Sequence, residues 1–138
     1  MKLIVFLILT TIFWGIAAIF DKLALGKSGP FAGLMARQFI LTAVLLLVAT
    51  GSGQLRGILA LEGRSALFFG LSGICGGAAG LLFYYYALSI GRASLVVPIT
   101  ATYPLVTALL SWAILAESFT FSRMVGTACI VLGVWLVK

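Results

Sequence analysis

The sequence predicts an all-α integral membrane protein, a bundle of five transmembrane helices. Of its 138 residues, 63% are apolar and only 9% are charged, whereas a soluble domain has roughly 25% charged residues. The mean hydropathy is +1.26. A small soluble domain buries only about 60–70% of its chain's surface, so this much apolar surface has no place in water. A lipid bilayer remains as the solvent, and we expect the cell inner membrane.

Five apolar stretches are each near the roughly 20 residues that a helix needs to cross about 30 Å of hydrocarbon. In chain order we predict helices over about residues 3–22, 31–50, 66–90, 93–116 and 119–137. Pro30 suits the first turn of the second helix. Residues 51–64 then form a polar, glycine-rich loop, and Gly91-Arg92 is a tight turn before the fourth helix. We expect one transmembrane domain over residues 1–138.

The basic residues are balanced between the two sides of the predicted bundle. The side of the N-terminus receives four Lys or Arg residues, and the other side receives four, or five where Arg37 is counted. They are Lys2, Arg56, Arg64 and Arg123 on the side of the N-terminus, and Lys22, Lys27, Arg92 and Lys138 on the other. The positive-inside rule orients a protein by an imbalance in such residues. Either a lipid or insertase factor sets the orientation, or the loops are misplaced by a turn, or the chain has dual topology and opposite copies pair. We favour dual topology.

The composition argues against several functional classes. The nine basic residues are scattered singly, whereas a nucleic-acid-binding protein clusters them on one face. There is no His, and the isolated Cys75 and Cys129 and the separated carboxylates Asp21, Glu62 and Glu117 form no metal-ligand set or catalytic pair. We therefore expect no enzyme, no cofactor, no metal and no nucleic-acid partner. The expected partners are the lipid bilayer, a small-molecule substrate and a second copy of the chain.

The third predicted helix carries glycines at alternating steps of three and four residues. They are Gly70, Gly73, Gly77 and Gly80, and Tyr84 continues the series. Helices associate in lipid through close van der Waals contact, which glycine permits. We therefore predict that Gly73, Gly77 and Gly80 serve helix packing. A nucleotide-binding interpretation fails because no strand precedes the glycines and their spacing is wrong.

The fourth predicted helix combines a polar stripe with two prolines. The stripe consists of Thr100, Tyr103, Thr107 and Ser111, and the prolines are Pro98 and Pro104. Each proline removes a backbone hydrogen bond and leaves a carbonyl that needs a partner. The hydroxyl groups either satisfy these carbonyls or line a wet cavity. The four residues of the stripe are therefore candidates for a substrate cavity.

Trp14, Arg37 and Tyr84 complete the candidates for the cavity. Trp14 lies near the middle of the first helix, away from the interface at which indoles usually anchor. Among residues 84–86, all tyrosines, one or two side chains at most can face inward. Arg37 lies about two turns inside the second helix, where a charge costs a few kcal/mol unless it snorkels or pairs. It either snorkels to the nearer interface or faces a central cavity with Asp21 as its partner.

Four residues are assigned to structure or charge pairing. They are Asp21, Lys22, Glu117 and Arg123. Glu117 ends the fourth helix, where the helix dipole disfavours a carboxylate. A contact with Arg123 across the short loop is the plain explanation for its position.

Short motifs follow one another along the whole chain. In the opening helices they are Trp14-Gly15, Lys22, Pro30 and Arg37. In the second half they are Ala87-Leu88, Ala93-Ser94-Leu95, residues 104–110, Glu117, Thr120, Gly126 and Leu132-Gly133-Val134. In this order the motifs resemble the EamA-like domain of the drug/metabolite transporter superfamily, and the resemblance covers essentially the whole chain.

The resemblance implies a transporter. Most members carry two such domains in tandem, inverted relative to each other, around a cavity that alternates its access, and they export or exchange small metabolites, amino acids among them. This chain looks like one half, so it must pair to enclose a cavity, and an antiparallel homodimer would recreate the inverted repeat. The family often has Gly before the glutamate of the fourth helix, whereas Ala116 stands here. Because of that departure, the resemblance supports only a structural role for Glu117.

Three rival interpretations stay open. The first is a small multidrug-resistance-type proton/drug antiporter. A resemblance to such antiporters implies that proton coupling needs a carboxylate midway along the first helix, but residues 3–20 contain none and Asp21 lies near the end. A non-transporting scaffold subunit would use the glycines only for assembly. A lipid-carrier flippase would use a laterally open groove. The sequence does not choose the substrate or the coupling ion.

Overall fold

The computed structural model describes residues 1–118 and 120–137, with the side chains of Arg123 and Val137 set aside. Within this part of the chain, the regular structure is helical throughout, which confirms the predicted class. We number the helices α1 (Lys2–Leu25), α2 (Pro30–Gly51), α3 (Leu55–Leu59), α4 (Gly63–Ile90), α5 (Ala93–Leu115) and α6 (Phe121–Val137).

Four of these helices are long and apolar enough to cross a membrane. They are α1, α2, α4 and α5, with 24, 22, 28 and 23 residues. The 17 residues of α6 extend over about 25 Å at 1.5 Å per residue, which is less than the roughly 30 Å of hydrocarbon in a bilayer. The described residues therefore contain four candidate spans and a shorter apolar helix where five spans were predicted.

The contacts divide the chain into two units, Met1–Ile90 and Gly91–Lys138. In the first unit, the last part of α4 packs against α1 and α2. The buried side chains at these contacts are Ala18, Leu25, Leu34, Tyr85 and Leu88. In the second unit, the first part of α5 packs against α6, and Val96 of α5 is buried. Most other large apolar side chains are exposed, as expected of helices whose solvent is lipid rather than water.

A π-helical segment, Gly73–Gly80, lies in the middle of α4 between two α-helical parts. Its position follows the glycines, because this wide turn brings backbone atoms close to Gly80. A Cβ atom on Gly80 would lie 3.0 Å from the carbonyl oxygen of Cys75. Gly80, one of the glycines predicted to serve packing, therefore permits a backbone that a residue with a side chain would disfavour.

Two local features of α5 follow from its sequence. The helix is interrupted at Ala101 and Thr102, because Pro104 has no N–H to donate to the carbonyl oxygen of Thr100. At its end, Ala116 is in the left-handed conformation with φ 52° and ψ 30°. The backbone N–H of Glu117 then donates to the carbonyl oxygen of Ser111 at 3.3 Å, which closes the helix.

The connection between α2 and α4 differs from the predicted loop over 51–64. It contains α3, a helix of five residues. Gly53 begins the turn into α3 with φ +70°, a left-handed conformation that glycine adopts without steric cost. The glycine-rich composition favoured a loop and obscured this short helix.

Candidate functional site

Three polar side chains from three helices of the first unit meet in a cluster. Tyr85 of α4 donates its hydroxyl hydrogen to Oδ1 of Asp21 in α1 at 2.6 Å. Arg37 of α2 places Nη1 3.4 Å from Oδ2 of Asp21 and 3.5 Å from the hydroxyl oxygen of Tyr85. Asp21 therefore uses one carboxylate oxygen for each neighbour. We call Asp21, Arg37 and Tyr85 the polar cluster.

The ring of Tyr85 lies against a glycine in the facing helix. Only 3% of Tyr85 is exposed, and its ring lies against Gly33 of α2. A Cβ atom on Gly33 would lie 3.5 Å from Cε2 of Tyr85 and 3.4 Å from Cδ2 of Leu25, which are ordinary contact distances. The ring therefore packs closely on α2, with its hydroxyl group at Asp21.

The charges of the polar cluster lie within helices that are candidates to cross the membrane. Arg37 is seven residues beyond Pro30, which is about 10 Å along α2. The Asp21 side chain is 15% exposed and that of Arg37 is 39% exposed. A buried charge is tolerated when an opposite charge and hydrogen bonds accompany it. Asp21 supplies both to Arg37, and Tyr85 supplies a hydrogen bond to Asp21.

A groove of about 690 Å³ runs between α1 and α2 beside the polar cluster. Asp21, Arg37 and Tyr85 line its polar part. The rest of its wall is mostly apolar and includes Phe20, Ala24, Ala36, Ile40, Leu41 and Val44. The volume is in the range of about 300–1,000 Å³ typical of small-molecule sites.

Two further hydrogen bonds join the helices of the first unit near the cluster. Lys22 donates from Nζ to the carbonyl oxygen of Leu88 at 2.6 Å. Gln38 donates from Nε2 to the carbonyl oxygen of Gly77 at 3.2 Å. Lys22 was assigned a structural or charge-pairing role from the sequence, whereas Gln38 was not singled out. The amide of Gln38 reaches the π-helical segment.

Tyr84 was the candidate for the cavity, and the sequence left open which one or two of residues 84–86 face inward. Tyr84 is half-buried, and its ring centroid lies 6.1 Å from that of Tyr85. The predicted spacing of three and four residues from Gly73 to Tyr84 places these residues on one face only if the helix is a regular α-helix. The π-helical segment closes hydrogen bonds between residues five apart rather than four, so the face of α4 shifts along the sequence. Tyr85, and not Tyr84, therefore contacts Asp21.

The other residues predicted for the first unit lie outside the cluster. Trp14 is 64% exposed. A Cβ atom on Gly73 would meet no described atom within 4 Å, whereas one on Gly77 would lie 3.5 Å from Nε2 of Gln38. Of the packing glycines, Gly77 faces another helix of the unit, and Gly80 faces the backbone of its own helix.

The second unit contains the polar stripe of α5. Thr100 donates from Oγ1 to the carbonyl oxygens of Val96 and Val97 at 3.0 and 2.9 Å. Thr107 donates to the carbonyl oxygen of Tyr103 at 3.3 Å. These hydroxyl groups therefore bond to their own helix.

The polar stripe also borders a groove of about 580 Å³ within the second unit. Tyr103, Thr107 and Ser111 line this groove, together with Glu117. Thr100 is not among its lining residues. The predicted contact of Glu117 with the side chain of Arg123 lies outside the described part of the chain.

Comparison with known proteins identifies relatives of the whole chain. An uncharacterized protein of Methanocaldococcus jannaschii is 28% identical over 133 residues, which are 95% of this chain and 92% of the relative. An uncharacterized transporter of a Sinorhizobium species is 26% identical over 129 residues, which are 94% of this chain and 91% of the relative. No solved structure matches the chain.

The match to a protein family also extends from end to end. The description of that family is the EamA-like transporter family, and the match covers residues 1–138. The helical architecture, with its candidate membrane spans, agrees with such a protein. The chain therefore belongs to the EamA-like transporter family.

Proposed function

We propose that the chain is a small-metabolite transporter of the cell inner membrane, an exporter or exchanger that works by alternating access as a dimer of half-sized units. The observation that carries this proposal is the polar cluster in the groove between α1 and α2. A charged residue within a spanning helix is costly and marks a substrate or ion pathway by default. Arg37 remains partly exposed to the groove, so its charge is accessible to a solute.

The dimeric arrangement is supported by three observations. The family resemblance implies two inverted domains around one cavity. The two relatives match this chain over more than nine-tenths of their own lengths, so they too are chains of about this size. The balanced basic residues give the chain little preference for one orientation. Copies inserted in opposite directions would together form the inverted repeat.

A proton/drug antiporter is the second candidate, and one observation favours it. The sequence placed Asp21 at the end of the first helix, but α1 continues to Leu25, and the Asp21 side chain is only 15% exposed. A carboxylate within a span is a suitable group to carry a proton. In this alternative Asp21 releases Arg37 when it is protonated.

The test is solute counterflow into proteoliposomes loaded with a mixture of metabolites and analysed by mass spectrometry. We expect at least one solute to exchange in vesicles with the wild type and with Arg64→Gln, but not with Arg37→Gln. Arg64 is the matched control because it lies over the ring of Phe68, 5.9 Å from its centroid, and does not line the groove. If vesicles with the wild type exchange no more solute than empty vesicles, the proposal of a transporter is contradicted and a scaffold subunit is the remaining interpretation.

The same vesicles separate the two candidate functions. An imposed proton gradient drives an antiporter, and Asp21→Asn removes that dependence. A metabolite exchanger continues to exchange solutes when the gradient is collapsed.

Reporter tags at the C-terminus test dual topology in cells. We expect tagged chains on both faces of the membrane, in comparable amounts. A single orientation would contradict the antiparallel homodimer. A transporter would then need a parallel dimer or a pair with a different chain.

A further inference from the structure

Arg37 uses only part of its hydrogen-bonding capacity within the polar cluster. Its hydrogen bonds to Asp21 and Tyr85 both run through Nη1, at 3.4 and 3.5 Å. Within the described part of the chain, Nε and Nη2 make no hydrogen bond. A guanidinium has five N–H donors in a planar fork that matches the two oxygens of a carboxylate. The contact with Asp21 is not of this two-pronged kind.

The surroundings of Arg37 combine this charge with an apolar wall. Its side chain is 39% exposed, and it shares the groove with Phe20, Ile40 and Leu41. An ammonium group would be repelled by the guanidinium at short range, and both oxygens of Asp21 already accept a hydrogen bond, from Tyr85 and Arg37. A solute that carries one anionic group on an apolar body complements both parts of the groove.

We propose that the groove binds a small amphipathic carboxylate, whose carboxylate takes the fork of Arg37 and displaces Asp21 from it. The apolar body of the solute then packs along the wall between α1 and α2. This inference rests on the proposed function, since it names the class of substrate for the same site.

Asp21 acts as an internal competitor in this arrangement. Its contact with Tyr85 is 2.6 Å, whereas its contact with Arg37 is 3.4 Å. The hydroxyl group of Tyr85 therefore continues to donate to Asp21 when the solute takes Arg37, and the displaced carboxylate keeps a hydrogen bond. Removing the charge of Asp21 frees Arg37 and strengthens the binding of the solute. A purely structural role of Asp21 predicts the opposite change, because the site would loosen.

The probes are phenylacetate and its neutral analogue phenylacetamide, which have the same apolar body. The protein is held in nanodiscs of phosphatidylcholine, and the unfolding temperature is followed against probe concentration, since a ligand stabilises the state that it binds. We expect phenylacetate to raise the unfolding temperature and phenylacetamide to leave it unchanged. Arg37→Gln weakens the binding of phenylacetate about ten-fold or more, Arg64→Gln leaves it unchanged, and Asp21→Asn strengthens it about three-fold or more.

The contradicting results are equally specific. Equal stabilisation by the acid and the amide, or binding to Arg37→Gln as tight as to the wild type, would overturn the carboxylate site. Weaker binding to Asp21→Asn would overturn the displacement of Asp21. If Arg37→Gln does not fold, Arg37→Lys keeps the charge without the fork and is expected to bind phenylacetate several-fold more weakly.

Nanodiscs that contain phosphatidylglycerol distinguish a solute from a lipid headgroup. If this lipid stabilises the wild type through Arg37 and phenylacetate does not, the site belongs to the lipid and the proposal is wrong. None of these measurements requires transport. A protein that binds phenylacetate through Arg37 but moves no solute would contradict the proposed function and keep the inference. Solute exchange by a protein that does not bind phenylacetate through Arg37 would support the proposed function and contradict the inference.

Discussion

Arg37 is tolerated within α2 because Asp21 and Tyr85 surround one side of its guanidinium group. Asp21 supplies the opposite charge at 3.4 Å, and Tyr85 fixes Asp21 through the shorter hydrogen bond of 2.6 Å. An ion pair that is partly exposed contributes little stability by itself. This agrees with the binding role that we propose for the cluster, in which Tyr85 positions Asp21.

The hydroxyl group of Tyr85 is expected to stabilise the first unit. Tyr85→Phe leaves Oδ1 of Asp21 without this donor and lowers the free energy of unfolding by about 1 kcal/mol. Tyr84→Phe is the matched control, because the Tyr84 hydroxyl makes no hydrogen bond within the described residues. Thermal unfolding in detergent measures both variants. Equal losses for Tyr84→Phe and Tyr85→Phe would contradict the assignment of Tyr85 to the cluster.

Ala116 is a second residue whose backbone makes a definite prediction. It is the only non-glycine residue with positive φ in the described part of the chain, and the left-handed conformation costs a non-glycine residue about 1 kcal/mol or more. Ala116→Gly is expected to raise the free energy of unfolding by about 0.5–1 kcal/mol, after the entropic cost of glycine in the unfolded chain. The family resemblance, in which Gly often stands here, agrees with this expectation.

The control for Ala116→Gly lies three residues earlier in the same helix. Ala113→Gly introduces glycine into the helical interior of α5 and is expected to destabilise by about 0.5–1 kcal/mol. Opposite shifts of the unfolding temperature for the two variants are therefore predicted. A loss of stability in both would show that the left-handed turn is not strained.

At the scale of the elements, the π-helical segment of α4 determines which tyrosine reaches Asp21. Gly80 permits that segment, since a Cβ atom there would lie 3.0 Å from a backbone oxygen of Cys75. Backbone atoms cannot move aside as the end of a flexible side chain can. The geometry of α4 and the composition of the polar cluster are therefore linked through one glycine.

Gly80→Ala tests this link. The added methyl group forces the wide turn to shift and is expected to lower the free energy of unfolding by about 1–3 kcal/mol. Gly70→Ala lies in the α-helical part of α4, where a Cβ atom meets no described atom within 4 Å. That control is expected to be neutral or to stabilise by up to about 1 kcal/mol. Thermal unfolding distinguishes the two, and a neutral Gly80→Ala would contradict a strained turn.

Apolar composition predicts the helices of this protein well, because a bilayer selects long apolar segments. The break in α5 likewise follows from Pro104. Three features were not accessible from a pattern of residues. They are the short helix α3 within a glycine-rich connection, the shift of the α4 face from Tyr84 to Tyr85, and the hydrogen bond of Gln38 to the carbonyl oxygen of Gly77. Each depends on backbone geometry rather than on residue type.

At the scale of the whole molecule, membership of the EamA-like transporter family agrees with the candidate membrane spans. Each unit of the chain has its own groove, with Arg37 in the first and the polar stripe of α5 bordering the second. Most apolar side chains of the single chain are exposed, so both lipid and a second copy have surface available to contact. We propose that the second copy is part of the transporter.

Co-expression of wild type with Arg37→Gln tests that central claim most directly. Differently tagged copies are produced in known ratios, purified, and measured for solute exchange in proteoliposomes. If each transporter needs Arg37 from both copies, an equal mixture retains about one quarter of wild-type exchange. The reason is that copies which pair at random form about one quarter of dimers with two wild-type copies. Exchange that falls in direct proportion to the wild-type fraction, to about one half, would contradict a transporter that needs Arg37 from both of its copies.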